Sequence, residues 1–250
     1  MPEKVIGVVG GMGPEATAEF FLRIIRATKV QCDQDHFRIL IDSNPRIPDR
    51  TAAIQGEGES PLPMLIESAR LLQKAGADFI AIPCVTAHFF FAPLRKKVRI
   101  PILNIVEEVV HHVRRMSSPT PQSSYLPRKS RHITKIGLIA TSGTVDTGLF
   151  QKAFAKAGIE VLFPDNKTQK NKVMAAIYGR RGVKAAGPSE KSKALVIAAA
   201  RTLIDRGAQA ILAGCTEIPL VLKDGDLSVP VVDSLDVLAR SSVWKACGRK

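Results

Sequence analysis

Two stretches decide how this chain is read: LLQKAGADFIAIPCVTAH, residues 71–88, and TLIDRGAQAILAGCTEIP, residues 202–219. Each passes through Gly-Ala (Gly76-Ala77 and Gly207-Ala208), then a polar residue (Asp78 or Gln209), then an apolar run, and reaches a cysteine, Cys84 or Cys215. The glycine-to-cysteine interval is the same in both copies. Upstream, Gly7 of VIGVVGG and Gly137 of KIGLIATSG precede their cysteines by nearly equal distances. Downstream, IPILNIVEEV starts at Ile100 and VPVVDSLDVL at Val229. A repeat this long predicts two like domains facing each other, each presenting one sulfur. Two opposed thiols are what a cofactor-free, two-base proton exchange at carbon needs.

Outward from the repeat, strands and helices alternate. VIGVVGG, FRILIDSN, DFIAIPC and PILNI read as strands of the first copy, and KIGLIATSG, IEVLFPD and AILAGC as strands of the second. Helical spacing covers Glu15 to Thr28 behind Pro14, Pro63 to Ala75, the segment that follows PILNI through Val113, Val145–Ala157 and Glu190–Arg206. Alternation of this kind predicts α/β domains with parallel sheets. The unbroken Ile/Val/Leu runs fit strands covered on both faces. Residues 116–134, rich in Ser, Pro and basic side chains, read as a linker or surface loop. Ligands of open parallel sheets sit at the carboxyl ends of the strands, where both cysteines and GGMGPEAT fall.

Composition narrows the function. With 250 residues, 45% hydrophobic and 24% charged, the chain suits one large or two modest globular domains. No apolar run is long enough for a membrane span, and the N-terminus lacks a signal-peptide layout, so a cytoplasmic location and no membrane partner are expected. The net charge of +13 attracts anions. Its densest clusters lie at Arg95–Arg99, Arg128–Arg131 and Arg180–Lys184. No helix-turn-helix, zinc-finger or RNP-type pattern accompanies them, and aromatics are only 5%, which makes nucleic acid an improbable partner. Gly11, Gly13 and Ala16 also fit G-x-G-x-x-A. The acidic residues that would hold a dinucleotide ribose, Asp33 and Asp35, precede the second strand instead of ending it, so the turn reads better as a wrap for a small anionic substrate with Met12 at the wall. Cys84 and His88 have no second close pair of ligands, so no metal is expected.

Taken together, GGMGPEAT, SNPRIPDRT (Ser43–Thr51), IPCVTAH (Ile82–His88), YGRRGVKAAG (Tyr178–Gly187) and GCTEIPL (Gly214–Leu220) resemble the aspartate/glutamate racemase family, its aspartate racemase branch in particular. The match covers most of the chain apart from 116–134 and the last few residues. The resemblance implies two pseudo-symmetric α/β domains with the active site in the cleft between them. It also implies a homodimer, no PLP or other cofactor, and Cys84 and Cys215 acting on opposite faces of an amino acid's α-carbon. The expected division is 1–113 with 233–250 packing back on it, and 114–232. It further implies that Arg50 and Lys184 face a dicarboxylic substrate, with Arg50 able to hold the distal carboxylate by two hydrogen bonds. One departure stands out: the family commonly has Asn after the first cysteine, and this chain has Val85.

Each candidate has a chemical reason. One cysteine as thiolate removes the α-proton and the other as thiol returns one; reversal swaps the roles. Thr86, Thr216 and nearby N–H groups are placed to stabilise charge on the substrate α-carboxylate. Glu217 and His88, close in sequence to the two cysteines, are candidates to orient them. The expected function is interconversion of L- and D-aspartate. The alternatives are racemisation of glutamate or another amino acid, or a catalytically silent ligand-binding protein.

Overall fold

The computed structural model describes residues 4–117 and 133–248. Two parallel sheets carry the repeat. The first contains β1 (Ile6–Gly10), β2 (Ile39–Ser43) and β3 (Phe79–Ala81) in the order β2-β1-β3. The second contains β4 (Lys135–Ile139), β5 (Glu160–Leu162), β6 (Ala210–Ala213) and β7 (Val231–Asp233) in the order β5-β4-β6-β7. The first three strands of each sheet correspond in order and register: Gly7 pairs with Leu40 and Ile80, and Gly137 with Leu162 and Ile211.

The repeated phrase folds the same way twice. Helices Leu62–Lys74 and Glu190–Asp205 both run into a glycine at φ 93°, Gly76 and Gly207, a backbone state that favours glycine. The next N–H then turns back to the helix, Ala77 to Leu72 O and Ala208 to Leu203 O, each at 3.0 Å. The polar residue that follows caps the start of the neighbouring strand. Asp78 Oδ2 accepts from Val5 N at 2.7 Å, and Gln209 Oε1 accepts from Lys135 N at 3.0 Å.

Buried apolar side chains, among them Phe20, Phe79, Phe150 and Phe154, fill the layers between sheets and helices. Truncating such a phenylalanine costs about 3–5 kcal/mol. The helix Ser234–Ala246 leaves β7 of the second sheet and packs against helices Pro14–Ala27 and Ile105–Ser117 of the first half. Arg23 ties the crossing point, bonding to both Asp233 and Glu19. No helix among the described residues is long and apolar enough to cross a membrane.

Four sequence expectations need correction. PILNI is no strand: Ile102 alone bridges to Ile80, because Pro101 has no N–H to extend the ladder and the next helix begins at Ile105. That helix runs to Ser117, past Val113. The single helix over Val145–Ala157 is two, Ser142–Asp146 and Leu149–Ala155, broken where Gly148 turns left-handed at φ 65°. β2 is an edge strand with Ile41 exposed, not a strand covered on both faces. Of the stretch read as a linker, residues 118–132 lie outside the described residues, with the Arg128–Arg131 cluster.

The turn after β1 is the tightest constraint on the site. Gly11 has φ 87°, and a Cβ there would stand 2.3 Å from the Asn44 backbone. Gly76 has the same sign of φ but open space around it. Gly76→Ala is therefore expected to cost only the backbone strain, about 1–2 kcal/mol. Gly11→Ala should cost clearly more, because backbone cannot rotate out of the way. Urea midpoints of the two variants check this, and equal losses would contradict the packing argument.

Candidate active site

The strand ends bring the predicted residues together. Met12, Arg50, Val85, Thr86, Lys184 and Thr216 surround one small, tight cavity with both thiols, Cys84 and Cys215, and Glu217. Cys84 follows β3 and Cys215 follows β6, and both are buried. Met12, Arg50, Lys184 and Glu217 also border an adjoining, more open pocket that reaches Glu15 and Pro45. Larger surface pockets, such as the one lined by Arg115 and Trp244, contain neither thiol.

Two cavity residues escaped the sequence reading. Thr141 follows β4 where Gly11 follows β1, so the repeat itself could have pointed to it. Tyr178 had no signal beyond its place in YGRRGVKAAG.

The two sulfurs have opposite electrical neighbours. Cys215 Sγ donates to Glu217 Oε2 at 2.9 Å. Burial, then the Glu217 carboxylate, pushes the Cys215 thiol well above the usual thiol range, against a smaller pull from Lys184. Glu217 itself stays ionised. Burial raises its pKa, but Lys184 Nζ at 2.7 Å, with the Cys215 thiol and Gly13 N–H, holds it below the usual carboxylate value. Lys184 is likewise raised: burial lowers it, and Glu217 and Cys215 more than reverse that. Its ammonium also lies 5.5 Å from the centre of the Tyr178 ring.

Cys84 has a cation for a neighbour. Burial lowers the Arg50 guanidinium, and attraction to Cys84, Asp49 and Tyr178 outweighs it, leaving Arg50 raised. Most of the guanidinium's donors are already engaged. Nη1 donates to Ile47 O at 3.1 Å and Pro48 O at 3.0 Å, and Nη2 to Met12 O at 3.2 Å. Nε is buried without a partner.

Hydroxyls close the seam between the two halves. Thr86 Oγ1 lies 3.0 Å from Thr141 Oγ1 and 2.9 Å from Thr144 Oγ1, and those two are 3.2 Å apart. Tyr178 OH donates to Asp49 Oδ2 at 2.9 Å, and Asp49 also caps helix Arg50–Gln55 through Ala52 N. Val85 is buried in the apolar core as well as at the cavity wall.

His88 is placed differently from the others: it supports Cys84 from behind and does not line the cavity. Its Nδ1 is 2.9 Å from Cys84 O, and its Nε2 accepts from Ile105 N at 3.2 Å. Only a ring with the proton on Nδ1 satisfies both bonds while staying neutral. Burial lowers its pKa below the ordinary 6.5. Four cysteines are free, with Cys32 and Cys247 exposed. Among the described residues no three or more His, Cys, Asp or Glu side chains gather as a metal site.

Two parallel α/β domains meeting on a pair of buried thiols define the class of protein. Residues 9–241 match Asp/Glu/Hydantoin racemase, and the chain belongs to that family of enzymes. It is 28% identical over 249 residues to a broad-specificity amino-acid racemase of Bacillus subtilis strain 168, covering 96% of each chain. Its fold is similar to that of Picrophilus torridus aspartate racemase, with TM-score 0.80 and 24% identity over 99% of this chain and 95% of that one. It is similar again to an aspartate racemase homologue from Pyrococcus horikoshii OT3, with TM-score 0.73 and 24% identity over 98% and 99% of the chains.

The His88 environment carries a pH test. The folded state resists protonating His88, while the unfolded chain takes up that proton below about pH 6.5. This contribution is therefore present above about pH 6.5 and is lost as pH falls, by at most about 1.4 kcal/mol per pH unit. His88→Gln removes the titration, so its stability should fall less steeply than wild type between about pH 6.5 and 5. Parallel urea titrations check it, and identical slopes would contradict a neutral buried ring.

Proposed function

We propose that this racemase inverts the α-carbon of an amino acid by proton exchange between Cys84 and Cys215. The observation that carries the reading is the electrical asymmetry of two thiols on one buried cavity. Cys84 sits by the Arg50 guanidinium, and Cys215 donates to the Glu217 carboxylate, which keeps it a thiol. In the forward direction the Cys84 thiolate takes the α-proton, forming S–H as C–H breaks. The electron pair left at Cα spreads onto the substrate carboxylate. Cys215 then delivers its proton to the opposite face and becomes the thiolate. Lys184 offsets that new charge beside Glu217, and the reverse reaction starts from this state.

Donors aimed at the substrate carboxylate do the remaining work, since charge collects there in the transition state. Thr86 and Thr216 border the cavity and suit that role. Burial keeps water from competing for the carbanion. His88 positions Cys84 through its backbone carbonyl. The motifs imply aspartate as substrate, and the relative named for broad specificity implies a wider range; both need the same exchange at Cα. A cytoplasmic homodimer, and a division at 1–113 with 233–250 and 114–232, complete the proposal on the resemblance.

Cys84→Ser and Cys215→Ser are each expected to lower racemisation by about 10²–10⁴, the usual share of a positioned acid or base, with an unchanged circular-dichroism spectrum. One variant racemising near the wild-type rate would contradict a two-thiol mechanism. Alkylation gives a second check. It is best read in a Cys32→Ser/Cys247→Ser background, because those thiols are exposed. Inactivation that substrate slows is the expected result, and full activity after alkylation of either buried thiol would overturn it.

A further inference from the structure

We infer that a second copy of this chain docks on the open edge of β2, the two β2 strands pairing antiparallel about a two-fold axis at Leu40. The inference rests on the homodimer of the proposed reading and names its surface. It is independent of the thiol chemistry.

The backbone makes the first part of the case. β2 lies at the edge of the first sheet and pairs with β1 alone. Ile6 N donates to Arg38 O at 3.0 Å, and Ile6 stands beside Ile39. A parallel ladder alternates, so Leu40 and Asp42 turn their backbone groups towards β1, while Ile39 and Ile41 turn theirs outward. Among the described residues nothing bonds to those outward groups. The other sheet ends offer less. β3, β5 and β7 are three-residue strands, and Ile102 bridges to β3. β2 has five residues in unbroken register, with none of the Pro, Lys or bulges that keep a bare edge from pairing.

The side chains beside this edge are apolar on both faces of the sheet. Ile39 packs into the core that holds Phe20 and Ile24, so Ile41 lies on that same face, 40% exposed. Helix Pro14–Ala27 covers it. Arg23 turns one flank of that helix towards Asp233, which leaves Phe21, 36% exposed, on the flank nearer β2. Leu40 packs on the opposite face with Leu65 and Leu72 of helix Leu62–Lys74. Arg70 and Gln73 of that helix bond to Lys97 O and Arg99 N on the β3 side, so Leu71, 54% exposed, stands on the β2 side.

Charge then selects the register. Arg38 and Asp42 bracket Leu40 on one face, Arg38 exposed and Asp42 half-buried. Neither makes an ion pair among the described residues. A two-fold axis at Leu40 sets Arg38 against Asp42 of the partner subunit at both ends of the ladder. It also sets Ile39 against Ile41 of the partner subunit, where each exchanges both outward backbone bonds. Moving the axis to Ile41 sets Arg38 against Asn44 and Asp42 against Leu40, and both charges go unmatched. The contact bears on the site as well. β2 runs directly into Asn44, whose backbone packs on Gly11, and on to Arg50 at the cavity wall. A sheet continued through the two-fold braces that wall.

Sedimentation equilibrium over roughly 0.1–100 μM tests this on the full chain, with a wild-type dimer expected. Arg38→Asp and Asp42→Arg each set like charges opposite one another twice, so each should weaken the dimer about tenfold or more. The double variant Arg38→Asp/Asp42→Arg restores both pairs and should return to within about threefold of wild type. Ile41→Pro removes an N–H that β1 does not use. It should keep the circular-dichroism spectrum and sediment as a monomer. Should Ile41→Pro unfold, the charge series decides alone. A monomeric wild type overturns the inference together with the homodimer and leaves the racemase reading standing. A dimer that none of these variants loosens overturns the β2 surface and leaves the homodimer standing. A double variant no tighter than the single ones overturns the pairing about Leu40.

Discussion

The contact between Lys184 and Glu217 organises the site. Glu217 lies two residues beyond Cys215, and Lys184 comes from the short helix Val183–Ala186 that precedes helix Glu190–Asp205. Their 2.7 Å contact is nearly shut off from water on the Glu217 side. A buried ion pair is stabilising only when its remaining lone pairs and protons are also met. Here they are. Glu217 takes the Cys215 thiol and the Gly13 N–H, and Lys184 takes Met12 O and the face of Tyr178. Both ends of this network reach the Met12-Gly13 turn of the first half. The ion pair thus joins the two halves of the molecule and sets the protonation state of one of its two thiols.

The halves make further contacts that depend on that alignment. Thr86 bonds with Thr141 and Thr144 across the seam, and Tyr178 with Asp49. Gly143 approaches Thr51 so closely that a Cβ there would stand 2.9 Å from the Thr51 hydroxyl. These contacts are polar and short, unlike the apolar packing that holds each sheet to its helices. The resulting cavity is small, and its polar groups mostly bind one another. Chemistry there rests on a few groups held at fixed charge: a cation by Cys84, an anion by Cys215 and a lysine able to offset a thiolate at either.

The fold was legible because the repeat encodes backbone needs that recur. Gly76 and Gly207 sit at the same positive φ, and Asp78 and Gln209 cap equivalent strands, so similar sequence meant similar structure. The cysteines were legible for the same reason, since strand-end position follows from the strand. Other features depended on long-range contacts. Nothing in PDRT shows that the Arg50 donors turn onto the carbonyls of Ile47, Pro48 and Met12. The sequence offers His88 only as a candidate to orient a cysteine by its nearness to Cys84, and the contacts of its ring with Ile105 N and Cys84 O come from the fold. PILNI has the composition of a strand, but Pro101 and the helix that starts at Ile105 leave it room for a single bridge.

The central claim is that two different groups handle the proton, one on each face of the α-carbon. Early-time isotope analysis in D₂O tests it most directly, with an L substrate that the enzyme accepts and mass spectra of the separated enantiomers. The account predicts that the first D product carries deuterium at Cα while the recovered L substrate is still protiated, because the acid that delivers the proton exchanges with solvent before it acts. Equal labelling of both enantiomers from the outset, or D product that keeps the original proton, would mean that one group serves both faces and would contradict the account.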